Sequence, residues 1–142
     1  MSFTEKLSWV LMGANLLTYL VYLGWILERP ADLPLVEVEY LWPLVGALVA
    51  TIVLTILGSI LIAIPQAASG EDNFEPDERD THIDRRGEMV GYVVFSVGVM
   101  GALGLTLAEV DHFWIGNAIY LSAVVATLVG TGVKLVAYRR GF

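Results

Sequence analysis

Between Glu75 and Glu88 an otherwise apolar chain gathers nine of its 23 charged residues into 14 positions. Within that stretch stand Asp77, Glu78, Arg79, Asp80, His82, Asp84, Arg86 and Glu88. Carboxylates can hold a cation or accept a proton, an imidazole can do either near neutral pH, and guanidinium groups grip carboxylates or phosphates. Spacing narrows the choice. On a helix turning ~100° per residue, Asp77, Asp80, Asp84 and Glu88 fall within about 80° of one another, and Arg79, His82 and Arg86 fall together on roughly the opposite side. Like charges four apart repel slightly on an isolated helix. The acidic stripe must therefore be solvated or be met by a neighbouring helix, Lys6, the Arg139–Arg140 tail, a second copy, a cation or a partner protein. A row of carboxylates on one helix wraps an ion poorly, so the stretch reads as a docking surface with no metal site. Its basic side faces lipid head groups or the acids of a second copy.

Little else in the chain can carry out a reaction. There is no cysteine, hence no thiol nucleophile, disulfide or thiolate metal site. No phosphate-binding, dinucleotide-binding, zinc-protease or nucleophile-elbow motif occurs. The two histidines, His82 and His112, are separated by an apolar run and belong to opposite sides of a membrane, so they do not share a metal or haem. Asp111–His112 reads as an interfacial turn. A net charge of −7 argues against direct nucleic-acid binding. These observations predict neither a catalytic residue nor a cofactor, and so no enzyme.

Four apolar runs position the charged stretch. The chain is 56% hydrophobic with a mean hydropathy of +0.69, and its apolar residues come in blocks, not in alternation. Runs at 8–27, 41–64, 89–108 and 113–133 each suffice to cross a hydrocarbon core about 30 Å thick as a helix of ~20 residues. So few segments cannot close a barrel, which leaves helix as the spanning state. The first run is too long and too weakly flanked for a cleaved signal and counts as a retained helix. The predicted fold is therefore all-α: a single integral membrane four-helix bundle. Lys6, Arg79, Arg85, Arg86, Lys134, Arg139 and Arg140 fall on one side of such a threading and only Arg29 on the other, which puts both termini and the loop between the second and third spans in the cytoplasm. In that loop, 66–76 reads as a polar linker. Pro76 and Asp77 then read as a helix start with an acidic first turn, so that 77–88 forms a helical stalk running into the third span. No proline falls in the middle of a span.

Small residues mark the packing faces. In lipid, helices associate by close approach of Gly, Ala and Ser. The fourth span has a ridge of Ala118, Ser122, Ala126 and Gly130, and the third has Gly98 and Ala102. These serve a compact bundle, or one of them an oligomer interface. Asn15, Asn117 and Tyr120 are polar groups within the spans. The two asparagines are expected to bond between helices, with a pore as the alternative. No mid-span Asp, Glu, Lys, Arg or His is present, although ion-coupled carriers usually need one.

The segment Asp77-Glu78-Arg79-Asp80-x-x-Ile83-x-x-Arg86, lying between the second and third spans, resembles uncharacterised families of small four-span bacterial and archaeal membrane proteins. These carry a D-E-R-x-x-x-I stretch before their third helix. The resemblance covers about ten residues plus the topology. It implies a cytoplasmic-membrane protein of a prokaryote and, for some relatives, a membrane partner of a transcription regulator. The residues themselves point to a non-catalytic protein acting by contact, as an accessory or regulatory subunit or a homo-oligomer. Its partners would be the bilayer and another membrane or cytoplasmic protein or a second copy. The alternative is a small oligomeric channel or transporter.

Overall fold

The computed structural model describes residues 2–68 and 77–140, the side chain of Gln66 excepted. Its helices are α1 (Phe3–Leu27), α2 (Leu41–Ala68), α3 (Glu78–Leu107) and α4 (His112–Arg140), and no strand occurs among the described residues. All four are long and apolar enough to cross a membrane. The fold is a four-helix bundle with the architecture of a multi-pass membrane protein.

Local chemistry sets the ends. The Ser2 hydroxyl accepts from Glu5 N at 3.2 Å and starts α1 five residues before its apolar run. Asp77 caps α3, accepting from Asp80 N at 2.6 Å, and Glu78 and Asp80 stand in its first turn against the positive helix end. Asp111 accepts from Phe113 N at 2.8 Å where α4 begins. Between α3 and α4 the chain reverses through Glu109, whose φ of 54° is left-handed. Two boundaries differ from the sequence reading. α2 continues through Pro65 to Ala68, so the expected linker at 66–76 is helical over its first three residues; 69–76 lie outside the described residues. Pro65 withholds one backbone donor, a small loss where the helix is leaving its apolar run. The segment joining α1 and α2 holds a 3-10 turn, Leu35–Glu37, that no periodicity announces.

α4 is the axis. It packs along α3 and against α1, and α1 in turn carries α2, giving the spatial order α2–α1–α4–α3. Within the most apolar stretch of each helix, 33% of α4 is buried against 0% of α2, which leaves α2 the outermost element. A cluster of Tyr22, Ile26, Val38, Ala47, Phe113, Tyr120 and Val124 fills one end of the bundle, closed over by Leu33, Leu35 and Tyr40. There the Arg29 guanidinium donates to the Leu33 carbonyl. At the other end the starts of α1 and α3 meet the end of α4, with the Arg139 guanidinium 5.6 Å above the Trp9 ring and Thr4 against Asp80.

The α3–α4 seam uses the small residues foreseen. A Cβ on Gly98 would fall inside the Ser122 side chain, one on Gly91 would stand 3.1 Å from Ala126 O, and one on Gly130 would stand 2.8 Å from Gly87 O. Ala102 and Ala126 are buried in the same bundle. Gly101 and Gly104 have open space instead.

Candidate functional site

The charged stretch is the first three turns of α3, here called the arm, and it is continuous with the apolar run that follows. Ile83 and Gly87 are buried and turn the arm onto the bundle. Gly87 lets α4 approach: a Cβ there would meet Gly130 O at 2.7 Å. Buried Asp80 lies with them, its Oδ2 accepting from the Thr4 hydroxyl at 3.4 Å. The Tyr138 hydroxyl is close to Asp80 but without a normal hydrogen bond among the described residues.

Most of the acidic stripe thus meets partners inside its own chain. Lys134 Nζ lies 3.0 Å from Asp84 Oδ1 and 3.9 Å from Glu88 Oε1. The first is an ion pair by distance, although its angle falls short of a hydrogen bond. Asp77 is taken by the cap. Sequence reasoning listed Lys6 and the Arg139–Arg140 tail as candidate bases. Lys134, the residue that answers, enters the sequence reading only among the basic residues that set the orientation. Its i+4 relation to Gly130, which faces Gly87, was the available signal.

The two flanks of the seam differ in charge. On the flank facing α1, a groove of ≈ 400 Å³ runs from Phe95, Ala123 and Thr127 up to Glu88 and Lys134. On the other flank lies a hollow of ≈ 600 Å³ lined by Arg79, His82, Ile83, Arg85, Arg86, Met89 and Ala137, and beside it an apolar groove of ≈ 440 Å³ with Arg86 and Arg140 on its walls. No carboxylate lines either of these two. Glu78, Arg79, His82, Arg85 and Arg86 are exposed.

The intramembrane polar groups gather nearer the opposite end. The Tyr22 hydroxyl donates to Asn117 Oδ1 at 2.7 Å, and Asn117 Nδ2 donates to Phe113 O at 2.8 Å, tying α1 to α4. The Thr18 and Thr51 hydroxyls are 2.6 Å apart and tie α1 to α2. Tyr120 stacks edge-on with Tyr19 (5.6 Å) and Tyr22 (5.3 Å), and Phe113 with Tyr40 (5.2 Å). Asn117 is interhelical as expected. Asn15 is not: its Oδ1 is buried without a hydrogen bond among the described residues, and Thr18 makes the crossing to α2. The Tyr120 hydroxyl is likewise buried and unbonded among the described residues. Sequence reasoning missed this tyrosine cluster, whose members come from three separate segments. The spacing of Tyr19 and Tyr22 on one helical face was its only trace.

Asp111 is engaged as a cap, and His82 and His112 stand at opposite ends of the bundle. Among the described residues no group of three His, Asp or Glu side chains is placed to hold a metal ion. The chain matches no protein family, no curated protein and no solved structure with which it was compared.

Proposed function

We propose that this is a non-catalytic protein of a prokaryotic cytoplasmic membrane that acts by contact, as an accessory or regulatory subunit or as a homo-oligomer. Both termini and the arm face the cytoplasm, because seven of the eight Lys and Arg residues gather at that end. One observation carries the reading. The arm is locked down by its acidic side, through Asp84–Lys134 and Asp80–Thr4, and this leaves His82 and Arg85 facing outward on a rigid helix. The contact surface is therefore the basic side of the arm, and the surface it fits is acidic. A regulator of the kind implied by the four-span resemblance would bind at this same end.

The test compares the parent with a His82→Glu/Arg85→Glu variant, each purified in mild detergent at low and at high salt. The parent at low salt should run as a defined oligomer or retain a stoichiometric partner. Charge reversal, or salt that screens exposed charges over about 10 Å at 0.1 M, should abolish it. Identical behaviour of all four samples would sink the reading. The competing channel or transporter is disfavoured by a polar set that largely bonds within itself, Tyr22 to Asn117 and Thr18 to Thr51. Selective flux through liposomes containing the purified protein would reverse that judgement.

A further inference from the structure

We propose that the basic flank of the α3–α4 seam is a binding site for an anionic phospholipid, whose phosphate sits between Arg86 and Arg140 and whose acyl chain lies along α4. This goes beyond the contact reading, since it needs neither a protein partner nor one particular threading.

Three observations carry it. The groove of ≈ 440 Å³ is walled by Val129, Gly132, Val133, Val136 and Ala137, an apolar surface long enough for several methylenes, with Arg86 and Arg140 also on its walls. Arg86 is shared with the neighbouring hollow, where Arg85 adds positive charge and no carboxylate lines the wall. Among the described residues Arg85, Arg86 and Arg140 have no acidic partner, in contrast to Lys134 across the seam, which has two. Depth agrees with this. Arg86 precedes the apolar run of α3 by three residues and Arg140 follows that of α4 by seven, ~5 and ~10 Å at 1.5 Å per residue, the level of the head groups. A guanidinium offers a phosphate two parallel donors, and basic pockets between spanning helices suit anionic head groups.

Gly132 makes the site testable without disturbing the fold. A Cβ there meets nothing within 4 Å, so Gly132→Leu fills the groove while leaving both arginines in place. The purified protein in detergent is titrated with phosphatidylglycerol, with phosphatidylcholine of the same chains, and with inorganic phosphate. Binding is read by native mass spectrometry and by the shift in unfolding temperature. Phosphatidylglycerol alone should bind and stabilise the parent. Arg86→Gln/Arg140→Gln should weaken it about tenfold or more, two interfacial cations being lost. Gly132→Leu should also weaken it, and Arg29→Gln, at the far end of the bundle, should not. The proposal is overturned if phosphatidylcholine binds equally well, if phosphate alone reproduces the stabilisation, or if both the glutamine pair and Gly132→Leu bind like the parent. Loss of lipid by Gly132→Leu, alongside retention of its oligomer or protein partner, would separate this site from the contact surface.

Discussion

Asp84 is partly buried against α4, and the amine that answers it is Lys134, at 3.0 Å. Replacing Lys134 by Met keeps the apolar stem and removes the charge, leaving the carboxylate facing a packed helix. A partly exposed ion pair typically contributes ~0.2–1 kcal/mol. Lys134→Met should therefore unfold at a lower temperature in detergent, and adding Asp84→Asn should recover most of the loss. Strictly additive effects of the two substitutions would show that the pair contributes nothing. Reversing Asp80 and Asp84 to Lys, which on sequence grounds would only probe docking, should now destabilise the bundle itself. The acids were legible as a one-sided stripe because helical spacing fixes which residues share a face. Their partners were not legible, since Thr4 and Lys134 reach them from other helices and one sequence contains no register between helices.

At the scale of the element, α3 joins a charged arm to an apolar span, and its start rests on Asp77. Asp77→Ala should cost about 1 kcal/mol, within the range for cap removal. The loss should be seen as faster hydrogen exchange at the amides of residues 79–81, with no change beyond Gly91. A cap of no consequence would leave those amides protected. The seam makes a second demand. Gly130→Leu must push α3 and α4 apart at Gly87, an overpacking that typically costs 1–3 kcal/mol or more, whereas Gly101→Leu projects into open space and should be close to neutral. Comparison of the two unfolding temperatures checks this, and equal effects would refute the seam. All four helices and the start of α3 could be read in the chain, because unbroken apolar runs and an acidic first turn are local signals. The continuation of α2 past Pro65 could not. Proline is a local stop signal, and here the helix continues in spite of it.

At the scale of the whole molecule, the order α2–α1–α4–α3 leaves α2 packed chiefly on α1. Hydrogen exchange in detergent should therefore be fastest in α2 and slowest in α4, since local opening follows the density of buried contacts. Equal protection across the four helices would contradict that order. For threading, a fluorescent reporter that matures only in the cytoplasm should light up when fused after Phe142, and a reporter active only outside the cell should not. The reverse pattern would invert the orientation. The same spatial order has a consequence for synthesis. Asp84 leaves the ribosome before Lys134, so the arm emerges with that acid uncompensated and can settle only after α4 has followed it. A chain interrupted between Leu107 and Lys134 would present Asp84 without its partner, a difference in surface charge between an unfinished copy and a finished one.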